Sequence, residues 1–126
     1  MATGKIKATD WKLLWTNPDS IGSNFSAQTV SLNLSNYSEL KIYAAHYDGV
    51  DTSHTGWGEY IQIVPIGVQS AITLSVVSSN KVVYTNYRYV YASSTGVTFG
   101  VGIECNTSNG MSQVANSMQP LRIYAR

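Results

Sequence analysis

The sequence predicts an all-β domain, an antiparallel β-sandwich or jelly-roll of about eight strands, and three observations point there. Apolar and polar residues alternate with a period of two in segment after segment, as in Val30, Leu32 and Leu34 with Ser31, Asn33 and Ser35 between them. That is the period of a strand with one buried and one wet face. The segments are rich in Val, Ile, Thr and Tyr, and clusters of Gly, Asn, Ser and Pro separate them, as strands and turns require. No alternating helices intervene, so the pattern is that of an antiparallel all-β fold.

The elements follow in order. An apolar stretch ending in Leu14 and Trp15 gives a first strand, and Asn17-Pro18-Asp19-Ser20 turns the chain, prolonged by Gly22, Ser23 and Asn24. The alternation from Val30 to Leu34 is the second strand. Residues 38–47 form a third, with Leu40, Ile42 and Ala44 on one face and Lys41 and Tyr43 on the other. Residues 48–58, "DGVDTSHTGWG", read as a long exposed loop; loops of this length inside a small domain are often functional. Alternation resumes over 59–66 through Tyr60 or Ile61 and Ile63, and Pro65 ends that strand or places it at a sheet edge. Residues 71–79 and 81–93 read as a hairpin joined near Ser79-Asn80. Residues 96–105 alternate again, 106–119 form a second long polar segment with a short helical turn around Ser112 to Ser117, and "PLRIYAR" closes the chain with Leu121 and Ile123 facing one way.

With 126 residues, the chain supports one domain with a sizeable core. The expected division is a leader over residues 1–10 and a single sandwich domain over 11–126. Apolar residues make up 44% and charged residues 12%, the latter about half the usual share, so solubility rests on a neutral, hydroxyl-rich surface. A net charge of +1 with scattered basic residues argues against nucleic acid as a partner, because phosphate binding relies on clustered Lys and Arg. The grouping of Lys5, Lys7 and Lys12 reads as a solvated leader. Cys105 is the single cysteine, which excludes an intrachain disulfide and a four-cysteine metal site; its apolar surroundings suggest a small buried residue. No secretion signal or membrane-spanning run is present, so synthesis in a cytoplasm without membrane insertion is expected.

Catalysis and metal binding receive little support. His46, Asp48, Asp51, His54 and Glu59 gather in or beside one loop, but their spacing matches no calcium or zinc pattern. No Gly-x-Ser-x-Gly elbow occurs, no carboxylate pair is singled out, and the paired glycines of "GVGIEC" and "TGWGEY" are strand ends rather than phosphate cradles. Neither a cofactor nor a catalytic residue is expected. Four Asn-x-Ser/Thr triplets describe a wet β surface.

The aromatics carry more information. Tyr87, Tyr89 and Tyr91 share one strand face, with Val83 and Val90 assigned to the other beside Arg88. An outward tyrosine row suits sugar stacking or a subunit interface, since each ring is a rigid flat body with a polar tip. The competing reading makes it one of the two buried faces of a sandwich. Trp57 stands between glycines in the polar loop, either as an exposed platform near Asp48, Asp51 and His54 with Tyr60 at its far end, or as a plug over the sandwich end.

The runs Leu14 to Asn17, Phe25 to Leu34 with Tyr37, Thr95 to Gly100 and Leu121 to Tyr124 cover about a third of the chain. Together they resemble small β-rich domains in structural proteins of phages infecting Gram-positive bacteria, of the type found at the C-terminal ends of tail-fibre and receptor-binding proteins. The resemblance implies a non-enzymatic virion component that assembles as a homotrimer with itself and other virion proteins and contacts host-surface polysaccharide. It brings no catalytic residues. Because the domain begins near a start methionine, a free-standing head decoration or capping subunit is the alternative expectation, and a small glycan-acting enzyme a further one. The loop around Trp57 lies outside the resembling runs and is where ligand specificity is expected, with Trp57 and Tyr60 stacking on sugar while Asp48, Asp51 and His54 bond hydroxyls.

Overall fold

A computed structural model describes residues 10–19, 25–45, 59–77, 80–108, 110–113 and 117–126. The described residues contain nine strands: β1 (Lys12–Thr16), β2 (Gln28–Ser31), β3 (Glu39–Ala45), β4 (Glu59–Pro65), β5 (Gln69–Val77), β6 (Val83–Ser93), β7 (Gly96–Asn106), β8 (Gly110–Gln113) and β9 (Gln119–Ala125). They form two antiparallel sheets. The first has the order β1-β9-β3-β4; the second has the order β2-β7-β6-β5, with β8 also paired to β7. The expected β-sandwich is therefore the fold.

The period of two decides which side chains fill the space between the sheets. Leu40, Ile42 and Ala44 of β3, Val64 of β4, Ile72 and Leu74 of β5, Val90 and Ala92 of β6, Val97 and Phe99 of β7 and Ile123 of β9 are all buried in one continuous cluster. Phe25 caps it, meeting Phe99 edge-on at 5.5 Å and Trp15 at 6.3 Å between ring centroids, the geometry that ring quadrupoles favour.

The alternation from Val30 to Leu34 outlasts its strand. β2 stops at Ser31, yet Leu34 is buried and Leu32 half-buried. A turn replaces the ladder partner, as the amides of Leu32 and Leu34 donate to the carbonyls of Thr95 and Ser94 at 3.1 and 2.8 Å. The periodic side chains thus keep their places while the backbone bonds to a turn instead of a strand.

The Asn17 turn is held by one side chain. Asn17 is buried; its Oδ1 accepts from the Asp19 amide and its Nδ2 donates to the Pro120 carbonyl, each at 2.9 Å. The first bond is the local Asx geometry that makes Asn a turn former, and the second ties the turn to β9.

Several sequence-based expectations are corrected. Ser112 belongs to β8 rather than to a helical turn, and β8 is a strand additional to those expected, inside the segment read as polar loop. Pairing to β7 from Ile103↔Gln113 to Asn106↔Gly110 creates it; four exposed residues have no apolar face for periodicity to detect. In β4 the inward parity belongs to Tyr60, Gln62 and Val64, while Ile61 and Ile63 face solvent. Cys105 is half-buried, opposite Thr85 and Met111 on the outer side of its sheet. Val83 shares the outward parity of the tyrosines and is exposed; only Val90 lies on the core side.

Arg88 is the unexpected core residue. Its neighbours in the period, Asn86 and Val90, are buried, and Arg88 itself is fully buried. Nε donates to the carbonyls of Ser117 and Met118, Nη2 to Ser117, and Nη1 to Phe25 at 3.0 Å and Gly100 at 2.7 Å. The guanidinium also lies 5.3 Å over the Phe25 ring. Five donors in a rigid fork suit convergence of carbonyls from three chain segments. Met118, with φ of 46°, takes the left-handed backbone conformation rare outside glycine, and its carbonyl is one of those acceptors. Burial lowers the Arg88 pKa to about 10, so the group stays charged at neutral pH.

Candidate functional site

The sandwich presents two outer faces, and both carry aromatic rings. On the four-stranded sheet, β3 turns Glu39, Lys41 and Tyr43 outward, and β9 turns Arg122 and Tyr124 outward beside the terminal Arg126. Register sets Lys41 against Tyr124 and Tyr43 against Arg122. Lys41 Nζ then sits 4.9 Å from the Trp11 ring, 5.2 Å from Tyr124 and 5.7 Å from Tyr43. Arg122 lies 4.7 Å over Tyr43 and Arg126 lies 4.3 Å over Trp11. Two carboxylates complete the mosaic: Arg122 pairs with Glu59 at 2.7 Å and Arg126 with Glu39 at 2.6 Å. Burial alone would lower the pKa of Arg122, but the hydrogen bond and charge of Glu59 raise it overall. Ring faces here are already occupied by the protein's own cations.

The five-stranded sheet differs. The outward residues of β6 are Tyr87, Tyr89 and Tyr91, opposite Thr73, Ala71 and Gln69 of β5. On the other flank Ile103 faces Tyr87 and Thr98 faces Tyr91. Between them the β6–β7 register shifts, and Gly100 lies beside Tyr89; a Cβ there would come within 3.0 Å of the Tyr89 Cβ. Thr29 and Thr98 hydroxyls bond at 2.9 Å and Ser75 and Thr85 at 3.0 Å. Tyr87 and Tyr89 are half-buried along their flanks and Tyr91 is exposed. No cation or second ring covers these three among the described residues. The outward positions of β5, β6 and β7 in this face carry no charged side chain.

The outward tyrosine row is thus on the surface, and the reading that buries it inside the sandwich is corrected. The physical reason is parity: once Val90 and Ala92 enter the core, Tyr87, Tyr89 and Tyr91 must leave it. Of the residues expected at a saccharide site, Asp48, Asp51, His54 and Trp57 lie outside the described residues. Tyr60 is a strand residue rather than a loop one. It stands opposite Ala44 in β4 and packs half-buried against the core.

Among the described residues no group of three His, Cys, Asp or Glu side chains converges on a metal position. A shallow depression lies between Ser31, Leu32, Asn33, Ser94 and Thr95. It is lined by small polar groups and one leucine, with no titratable side chain to transfer a proton. Sequence reasoning missed the cation mosaic of the other sheet; Lys41 and Tyr43 on one face were the visible half of that signal, and strand order supplied Tyr124 and Arg122. Compared with protein-family models, curated proteins and solved structures, the chain matches none.

Proposed function

We propose that the protein is a non-enzymatic binding module of a phage virion, self-associating, whose uncharged tyrosine face contacts host-surface saccharide. The observation that carries the binding reading is the contrast in ring occupancy, because Tyr87, Tyr89 and Tyr91 present rings that no cation covers among the described residues. A sugar ring lies on an aromatic face through its C–H groups, and its hydroxyls need small polar neighbours. Thr73, Gln69 and Thr98 stand beside the row in register. Alternate residues of a strand repeat at about 7 Å, a spacing that suits an extended glycan along β6. The virion assignment rests on the resemblance of the runs at both ends of the chain to phage fibre and receptor-binding domains.

The test is binding of the purified chain to Gram-positive cells and to their isolated wall polysaccharide. Replacing Tyr87, Tyr89 and Tyr91 together with serine is expected to weaken binding by at least about tenfold while leaving the circular dichroism spectrum intact. Unchanged binding would reject this face, and the Trp57→Ala variant then tests the loop. A second reading has an observation in its favour: Val101 and Met111 are also exposed, on β7 and the adjoining β8, which suits packing against a neighbouring virion protein. Stable association with purified particles and none with cells would select that architectural role.

A further inference from the structure

The two sheets end in strands of very different character. β1 begins with Lys12 and its pairing to β9 shifts register between Leu13 and Trp15. β2 and β8 have four residues each. β4 begins with Glu59 and ends at Pro65, which has no amide to donate. Short length, charge, proline and bulges are the devices that keep sheet edges from pairing with other chains. β5 has none of them. It runs for nine residues, Gln69–Val77, with no charged residue and no proline, and it pairs with β6 from Gln69↔Tyr91 to Val77↔Val83 without a register shift. Its other edge carries no strand among the described residues.

From this edge, unguarded among the described residues, we infer that two copies of the chain pair through β5, antiparallel across a twofold axis. A second copy fits because an uncharged strand meeting itself sets no like charges opposite one another. Self-pairing centred on Thr73 overlaps the whole strand, placing Ile72 opposite Leu74 and Ala71 opposite Ser75. That register keeps Ile72 and Leu74, both buried, on the core side in each copy, and leaves the small residues Ala71, Thr73 and Ser75 on the outer side. The contact is isologous and closes at two copies, so it does not propagate into a fibre.

Joining the edges makes the two five-stranded sheets continuous. The tyrosine rows of the copies then lie on one uncharged surface, separated by three strand spacings, roughly 14 Å. Dimerisation stands on the edge alone; only its use, two weak saccharide rows acting together, rests on the binding reading above.

Light scattering of the full chain during size-exclusion chromatography is expected to give twice the 13.7 kDa chain mass. Thr73→Lys sets two ammonium groups opposite each other and is expected to give a monomer with an unchanged circular dichroism spectrum; Ala71→Lys combined with Ser75→Lys, which sets ammonium groups opposite each other on both sides of the axis, is a second edge variant with the same expected result. Thr73→Cys combined with Cys105→Ser is expected to form a disulfide-linked dimer, because directly opposed Cα atoms in such a pair stand about 4.5–5.5 Å apart, within disulfide reach. A wild-type monomer, a trimer, or a dimer that survives both lysine variants would overturn the pairing. Cell binding separates the two ideas. A wild-type monomer that still binds cells leaves the saccharide face standing without the dimer. A dimer that binds neither cells nor wall polysaccharide leaves the edge standing without that face.

Discussion

The outer faces of the two sheets are built from similar residue types and end in opposite states. The four-stranded sheet surrounds Trp11, Tyr43 and Tyr124 with Lys41, Arg122 and Arg126, and two of those cations are paired to Glu59 and Glu39. The five-stranded sheet sets Tyr87, Tyr89 and Tyr91 among threonine, glutamine, alanine, isoleucine and glycine. In the proposed reading an aromatic-rich surface is not by itself a recognition surface. What matters is whether the rings already have partners, since a ring face over a cation has given up the contact a ligand would make.

The comparison can be sharpened by substitutions, beginning with one that should affect both faces together. Arg88→Met removes the donors to the buried carbonyls of Phe25, Ser117 and Met118. Each buried acceptor left unsatisfied costs about 1–3 kcal/mol, so a loss of roughly 4 kcal/mol is expected in urea denaturation. The charge of Arg88 is constant at neutral pH, and the difference from wild type should not vary between about pH 6 and about pH 9. Above about 10 the folded chain releases this proton before the unfolded chain does, so the contribution of this group to stability rises with pH there. A difference that changes across neutral pH would contradict a permanently charged core arginine.

Gly96→Ala comes next. A Cβ at this position would stand 2.6 Å from the Val30 carbonyl oxygen, so β2 must move away from β7. A cost of about 2 kcal/mol is expected by thermal or urea unfolding, with the opposite sheet unaffected by hydrogen exchange. Loss of amide protection in β3 and β9 as well would show that the sheets do not respond separately.

Lys41→Met is smaller and addresses the occupied face. It removes a cation from three partly exposed rings and is expected to cost about 1 kcal/mol or less. Its sharper consequence is functional: Arg126 stays over Trp11 and Arg122 over Tyr43, so Tyr124 is the ring this variant uncovers among the described residues, and if occupancy is what silences this face, that should create weak saccharide binding that the wild type lacks there, detectable in the background of the triple tyrosine variant. No gain would indicate that hydroxyl neighbours, not free rings, set the difference.

The smallest stability effect belongs to the open face. Tyr91→Ser, at a residue 37% exposed, should change stability by no more than about 0.5 kcal/mol while reducing cell binding. A large loss of stability would mean that the tyrosine row is structural rather than available for contact.

Much of this was legible along the chain because burial in a two-layer sandwich follows parity. Leu40, Ile42 and Ala44 against Lys41 and Tyr43 needed only the period of two. Pro65 marked a sheet edge, and Asn17-Pro18-Asp19 marked a turn. β8 was not legible, because its four exposed residues owe their strand to β7. Val83 was legible but assigned against its own parity. Arg88 gave no signal of burial, since a charged residue among tyrosines reads as surface until the carbonyls that surround it are known.

By itself the sequence determined the all-β class, the inward face of β2, β3 and β9 and the placement of Tyr87, Tyr89 and Tyr91 on one side of one strand. It did so because alternation is a local property of an extended backbone. Only the tertiary structure decided which neighbours those side chains meet. Residues 63 and 87 positions apart in sequence bring Arg122 to Glu59 and Arg126 to Glu39, and the pairing of β6 with β5 and β7 leaves the tyrosine row without a charged neighbour among the described residues. Strand order, which no local period encodes, is what makes one aromatic face self-satisfied and leaves the other open.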